Sequence, residues 1–501
     1  MKTRPIKLVF PVGGLVRRWS YQAQPPYTTP VAMNVWPIGP ANMRLRGARR
    51  AGMEKMTGGS AGGNHFRCLA PVPKADDSDY TYRLMCAAGQ KWYYPVNGGT
   101  MTEWVTGTLA SSTGRVGWAV IDSLLYYLDA GTFKKMDPFA PSLANLVAAA
   151  GALPTDCDLL CRYNGRLTAA PFRGQLWYMA RQSDPTDWDY TADSDDPQRA
   201  VWSASCDLGS LQDPLCAFAP LGDTELVFGC DNSMWVLRND PCWGGAIDNV
   251  SRELGIVGPD AWCYTPDKSL LFVDFSGVYI LPPRANSPQP FSREKLPSDL
   301  RNMDPGTYDV VLRYDPQHFG FLLGLVPLTG ASESDPGEHW WIDWPTQSFW
   351  QISFPTAKTP RFYEEFHYEA GTDDVLALGC EDGVLRMFDD DGDDDGDDVT
   401  GYCSIGPFQL GDAYHEGMLR ELIGVLGKTS GDLTWKLFTA DDAETCALAS
   451  TAKDTGTWSG GRNRSKHPRR RGQAAVLQLY GTECWEFEQA VAVLTTLGKH
   501  R

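Results

Sequence analysis

Apolar and polar positions alternate along this chain over short runs that are cut by tight turns, and the runs recur. "CAAGQKWYYP", "YYLDAGTFKKMDP", "FRGQLWYMA", "VFGCDNSMWVLRNDP", "FVDFSGVYILPP", "DPQHFGFLLGL" and "ALGCEDGVLRMF" each carry a β-rich run, a turn and a second run ending in an aromatic or apolar residue. Period-two alternation over so few residues predicts half-buried strands, and the Gly and Asp between them predict hairpins. Taken as turn markers, Gly89, Gly131, Gly174, Ser233, Gly277, Gly320 and Gly383 lie 42, 43, 59, 44, 43 and 63 residues apart. A unit of roughly 40 to 50 residues made only of short strands is the mark of a β-propeller, because one blade cannot bury both of its faces and must stack on its neighbours. The two long spacings predict insertions. Unrelated hairpins would use the same turn residues, so it is the repeated spacing that favours the propeller. Helical pattern is scarce, the best being "SLANLVAAAGAL", with Ser142 placed as an N-cap and Gly151 near the end.

Beyond Thr400 the texture changes. "GMLRELIGVLG", "DLTWKLFTA", "AAVLQLYG" and "WEFEQAVAVL" alternate over longer stretches, as in a small β-sandwich. The expected division is an extended basic N-terminal arm over 1–60, a β-propeller over 61–400 and a β-rich C-terminal domain over 401–501, all-β throughout. Composition agrees: 501 residues with 43% hydrophobic content can bury a large core, and 50 Gly, 35 Pro, 18 Trp and 20 Tyr suit many short strands. Pro5, Pro11, Gly13 and Gly14 interrupt the apolar residues of the first stretch, so no secretory h-region is read there. No run approaches the roughly 18 apolar residues of a membrane span. The 13 cysteines are scattered, and the pair Cys157 and Cys161 has no second pair or His that would complete a zinc site. They are read as reduced and mostly buried.

Charge is distributed unevenly. The whole chain carries −17, yet residues 1–55 hold ten Lys or Arg, among them Arg44, Arg46, Arg49 and Arg50, against the single acid Glu54. A basic arm therefore precedes an acidic body, and a neighbouring acidic body is a natural docking partner for it. A second basic stretch, "GRNRSKHPRRRG", crowds Arg462, Arg464, Lys466, Arg469, Arg470 and Arg471 into one loop. Such a loop pairs with a neighbour's acidic surface, binds nucleic acid through phosphate, or stays solvated; the first reading is preferred. "DDDGDDDGDD", residues 389–398, is its acidic counterpart. Counting a calcium loop from Asp391 puts Asp393, Asp395 and Gly396 on positions three, five and six, but position nine is Val399 and position twelve, where a bidentate Glu should close the shell, is Tyr402. A solvated acidic tip is the preferred reading, ahead of a weakly held Ca²⁺ or Mg²⁺ at Asp391, Asp393 and Asp395, and ahead of a docking point for a basic partner loop.

Several motifs imitate chemistry and fail on context. Gly58 to Gly62 match G-x-S-x-G by letter, but lack the strand before and helix after that a nucleophile elbow needs. "GVLGKTS" has the end of a phosphate-binding loop without its first glycine. The seven histidines form no H-E-x-x-H and no close pair. No catalytic residue and no cofactor are assigned.

"AMNVWPIGPANMRLRGARRAGMEKM" resembles the opening of tail structural proteins of tailed bacteriophages, where Asn and Pro precede an Arg-rich stretch ending in Arg and Gly; Asn34, Pro37, Arg44, Arg46, Arg49 and Gly52 stand in those places. "LWYMARQSDPTDWDY" is similar to the family's element with Ser, Pro and an aromatic, carried by Ser183, Pro185 and Trp188. "ELVFGCDNSMWVL", "SRELGIVGPDAWC" and "LLFVDFSGVYIL" resemble the central blades of tail hub, or nozzle, proteins of short-tailed phages. The resemblance implies a non-enzymatic virion protein, a β-propeller assembled as a homo-oligomeric ring, taken as a hexamer, below the portal and adaptor. That ring would keep packaged phage DNA in place and conduct it at ejection. The acidic and basic loops depart from the family's pattern. The alternatives are a carbohydrate-active or carbohydrate-binding propeller, with carboxylates converging on its axis, and a soluble interaction propeller. The single "SGDLTW" is a poor Asp-box, with Thr434 where Gly is needed, and the W-D endings of interaction propellers are missing.

Overall fold

Two-residue turns of mirror-image geometry start much of the architecture. Asp122–Ser123, Ala130–Gly131 and Asn164–Gly165 all have positive φ at both positions, the twist that lets two right-handed strands pair directly. They join Ile121 to Leu124, Asp129 to Thr132 and Tyr163 to Arg166 in antiparallel register. In the computed structural model, which describes residues 3–499 apart from 76–79, 97–99, 105–108, 141, 192–194, 206–210, 293–294, 296–303, 305, 368–373, 391 and 412–414, such hairpins build seven consecutive four-stranded antiparallel sheets. The protein is an all-β β-propeller. Its blades 1 to 6 begin at the strands Phe66–Ala75, Trp118–Ile121, Leu159–Tyr163, Leu215–Leu221, Trp262–Tyr264 and Tyr308–Asp315. Blade 7 takes three strands from Pro360–His367, Asp374–Cys380 and Leu385–Asp389, and its fourth, Gly52–Lys55, from the other end of the chain.

Each blade buries both faces against its neighbours, which is why alternate residues of one strand enter different clusters. Cys68, Ala70 and Val72 of blade 1 pack with Leu125, Tyr127 and Met136 of blade 2. Tyr126, Leu128 and Phe133, on the opposite face of blade 2, pack with Leu160, Leu167 and Ala169 of blade 3. Leu159, Cys161 and Tyr163 then meet Phe218, Leu226 and Phe228 of blade 4. At about 25 cal/mol per Å² of apolar surface, this stacking supplies the stabilisation that an isolated four-stranded sheet lacks.

The C-terminal unit is a sandwich of two sheets. One is ordered Thr3–Leu8, Phe487–Lys499, His415–Leu426, Arg470–Gly472; the other Ala32–Met33, Gly401–Gln409, Ala474–Gly481, Leu433–Ala440, Asp454–Trp458. Between them lie Leu419, Leu422, Ala490 and Ala492 on one side and Cys403, Leu437, Leu477 and Leu479 on the other. Gly424 lets Trp458 lie on the strand: a Cβ there would come 2.2 Å from the indole.

The segment expected as a basic arm is extended, but it is built into its own chain. After entering the sandwich it runs along blade 6, where Leu15 N and Asn34 N donate to the carbonyls of Phe349 and Gln351. Phe10 stacks on Trp350 and Trp36 on Trp341, the latter at 4.4 Å. It then closes blade 7. Of its basic residues, Arg46, Arg50 and Lys55 find carboxylates within the chain.

The stretch "SLANLVAAAGAL" is not helical. Ser142–Asn145 is the outer strand of blade 2, paired with Thr132–Asp137, and Ala150–Gly151 pairs in parallel with Asp187–Trp188. Leu143 and Leu146 go to opposite blade faces, so packing on both sides outweighs the intrinsic preference of Ala and Leu. Among the described residues the α-helix is Ala443–Ala447, capped by Asp442 accepting from Thr445 N. The twelve described cysteines are free thiols, ten of them buried; Cys206 lies outside the described residues.

Candidate functional site

Three charged regions offer themselves as sites: the acidic loop, the propeller axis and the basic edge of the sandwich. The acidic loop corrects the preferred expectation. It runs beside Gly52–Lys55, with Met53 N donating to Asp393 O and Asp395 N to Met53 O, each within 2.9 Å. Gly52 permits this approach, since a Cβ there would lie 2.3 Å from Asp393 O. Asp394 is only 2% exposed, and its carboxylate takes two hydrogen bonds from Arg50, at 2.9 and 2.5 Å. Asp395 pairs with Arg386 at 2.8 Å and with Lys55 at 3.3 Å. Lys358 Nζ reaches the carbonyls of Asp394 and Asp395 and the Asp397 carboxylate at 2.7 to 2.9 Å. Burial works to raise the Asp395 carboxyl, but Arg386 and Lys55 together hold it below its ordinary value. The chain's own cations therefore pin the loop at Asp394 and Asp395, which a freely solvated tip would not show, while Asp390, Asp393 and the residues 396–398 are exposed.

Two of the three residues of the metal reading are described, and both are engaged within the chain. Asp391 lies outside the described residues; Asp393 Oδ1 accepts from Gly396 N at 2.8 Å, and Asp395 serves Arg386. Among the described residues no group of three or more His, Cys, Asp and Glu could hold a metal.

The arm arginines divide. Arg44 is exposed. Arg46 is buried and pairs with Glu486 and, at 2.9 Å, with Glu488. Arg49 is buried, donates to the carbonyl of Thr482 at 2.9 Å, and is lowered from its ordinary value by burial foremost. Arg50 is 0% exposed, lies over the Phe354 ring at 4.6 Å and also meets Asn34. Arg46, Arg49 and Arg50 are thus engaged within the chain, with Glu486 and Glu488, with the Thr482 carbonyl and with Asp394. A second latch sits beside them. His318 Nδ1 lies 2.7 Å from Asp315 and Nε2 3.0 Å from Asp390. Burial alone would lower this imidazole, but the two carboxylates outweigh it and push it up to about 10, so both ring nitrogens donate.

No residue of the axis is named from the sequence, although the carbohydrate-active alternative expects carboxylates to converge there. One cavity of about 390 Å³ touches the first strand of every blade. Across it run Arg115 to Asp260 at 2.5 Å, Asp260 to Arg313 at 3.1 Å and Arg313 to Glu364 at 3.0 Å, tying together blades 2, 5, 6 and 7. Burial works to raise Asp260, yet Arg115 and Arg313 more than offset it and hold the carboxyl low. Glu364 is raised, burial prevailing over Arg313. Asp309 is pushed up to about 6 by burial first and then by Asp260. Carboxylates do converge on the axis, but Asp260 and Glu364 are engaged with guanidiniums. Arg313 and Glu364 lie in the first strands of blades 6 and 7, and Arg115 and Asp260 just ahead of those of blades 2 and 5, so the start of each blade is where the sequence places the axial charges.

The basic edge stands free. Residues 462–466 run beside His415–Leu426, with backbone bonds between Leu422 and Lys466 and from Asn463 N to Gly424 O. Arg462, Arg464, Lys466, Arg469, Arg470 and Arg471 are all exposed. The nearest carboxylate, Asp454, is 3.9 Å from Arg470. Charge and Pro468 on such an edge also block unwanted strand pairing.

No family model and no curated protein matches this chain. Solved structures similar to it include YCF48 bound to D1 peptide, 13% identical with a TM-score of 0.41, covering 68% of this chain and 94% of that one. The extracellular domain of the one component system BT4673 from B. thetaiotaomicron is 10% identical with a TM-score of 0.44, covering 78% of this chain and 45% of that one. YCF48 from Cyanidioschyzon merolae is 9% identical with a TM-score of 0.41, covering 68% and 99%. The likeness concerns the β-propeller fold and nothing further.

Proposed function

We propose that this chain is a non-enzymatic structural subunit of a phage tail, a hub or nozzle protein of the virion that forms a homo-oligomeric ring, retains packaged DNA and passes it at ejection. The observation that supports this most is the pairing of an unsatisfied basic edge, 462–471, with a body whose other described charge clusters are already engaged internally. In a ring, that edge meets the acidic surface of the next copy or of an adjacent tail protein such as the adaptor, and rim charges of this kind set register more than affinity. Ion pairs lie across the propeller's own axis, so DNA would run through the opening between copies. Acidic walls there would let phosphate slide without the counterion release that makes binding tight. The reading assigns no catalysis and no cofactor.

Mass photometry and negative-stain imaging test it. A closed ring is expected for the parent protein, and monomers for a variant with Arg462, Arg464, Lys466, Arg469, Arg470 and Arg471 changed to Glu. A parent protein that stays monomeric at micromolar concentration and is missing from purified particles would overturn it, as would hydrolysis of a glycan or ester that one carboxylate or serine substitution abolishes.

A further inference from the structure

The axial cavity has a chemistry that neither the ring nor DNA passage requires. Its wall carries Trp118, Trp262 and Tyr264, with the last two rings 5.4 Å apart and near perpendicular, at 74°. Tyr264 is 42% exposed, which places it at the mouth. Trp262 Nε1 is buried and makes no hydrogen bond among the described residues. Two charged side chains that also line the cavity, Arg162 of blade 3 and Glu365 of blade 7, are exposed and have no ion-pair or side-chain hydrogen-bond partner among the described residues. They stand on well-separated blades of the ring and cancel in charge. Below them, Asp260 and Glu364 are neutralised by Arg115 and Arg313.

These features select a ligand class. An acyl chain would need an apolar tube, and this one has an ionic floor. A nucleotide would bring phosphate into a lining of balanced charge within a strongly acidic chain, where nothing supplies the surplus of cations that phosphate binding needs. A free metal ion would need a cluster of unpaired carboxylates. What remains is a neutral, amphipathic ring: apolar C–H faces against aromatic planes, with hydroxyls directed to a guanidinium, a carboxylate and an indole N–H. We infer that the mouth of the propeller axis is a saccharide-binding site that seats a neutral sugar ring on Trp118, Trp262 and Tyr264 and fixes its hydroxyls with Arg162 and Glu365. A volume of about 390 Å³ lies within the roughly 300 to 1,000 Å³ of small-molecule sites. With Asp260 and Glu364 paired to arginine, Glu365 is the unpaired carboxylate of the described lining, and one carboxylate without a second suits binding and not glycoside cleavage.

The test uses the full chain and a panel of methyl glycosides of glucose, galactose, mannose, rhamnose and N-acetylglucosamine, read by saturation-transfer NMR and titration calorimetry. At least one glycoside is expected to bind, and Tyr264→Ala, Arg162→Ala and Glu365→Gln are each expected to weaken it about tenfold or more, a loss of about 1.4 kcal/mol. All three side chains are exposed, and an unchanged melting temperature certifies the fold of each variant. The inference is overturned if no glycoside binds at tens of millimolar, if binding survives all three substitutions, or if an aromatic peptide binds the cavity where the sugars do not. None of these outcomes bears on ring formation, so this site and the tail reading fail separately.

Discussion

The acidic loop 389–398 and the basic edge 462–471 are comparable as sequence: ten-residue stretches, each dominated by one sign of charge, each between strands. In the structure they part. The acidic loop lies against Gly52–Lys55, and Arg50, Arg386, Lys55 and Lys358 contact it; the basic edge faces outward with only long carboxylate contacts, to Asp454 and Glu421, among the described residues. The difference is one of topology. A charged run beside a strand that must close a blade is compressed and demands counter-charges, because an unpaired buried carboxylate is costly. A charged run on a free sheet edge keeps its water and remains available to another molecule.

The comparison breaks most completely if the closing segment is removed. Deleting residues 1–55 takes the outer strand from blade 7, two strands from the sandwich and Arg50 from Asp394, and circular dichroism is expected to show no cooperative unfolding transition. Next in size, Arg50→Ala strands the Asp394 carboxylate and is expected to cost about 3–5 kcal/mol in denaturant unfolding; the double variant Arg50→Ala, Asp394→Ala should recover part of that loss. His318 comes third. Its folded value of about 10 lies above the ordinary 6.5, so the protonated ring stabilises the fold in full below pH 6.5, and that contribution falls away as pH rises through about 10. His318→Gln should cost about 2 kcal/mol at pH 6, and its melting temperature should lose the alkaline decline seen in the parent. Smallest of all, reversing the six basic residues of the edge should change monomer stability by no more than about 0.5 kcal/mol while abolishing assembly.

Much of the fold was legible because strand alternation and turn chemistry are local. Six of the seven turn markers sit where a blade's second strand ends, as at Gly89, Gly131, Ser233, Gly277 and Gly383; Gly320 instead follows the first strand of blade 6. That slip produced the last long spacing, while the earlier one reflects a real insertion, 180–200, within blade 3. What the sequence hid was the fate of charge. Nothing near Asp394 announces Arg50, 344 residues away, and the partners of Asp260 come from blades 2 and 6. Ion pairs between distant strands have no periodicity to read. The basic edge, by contrast, was legible because its exposure follows from its own composition.

The closing of blade 7 by Gly52–Lys55 also sets an order in time. This strand is synthesised more than three hundred residues before its partner, Leu385–Asp389. At roughly 5–20 residues per second, the waiting period is on the order of a minute or less, during which the early segment, with Trp36, Met53 and its arginines, has no place to dock. A chaperone that shelters apolar, positively charged stretches would find its substrate there, and the ring of blades would snap shut only once Leu385–Asp389 has been made.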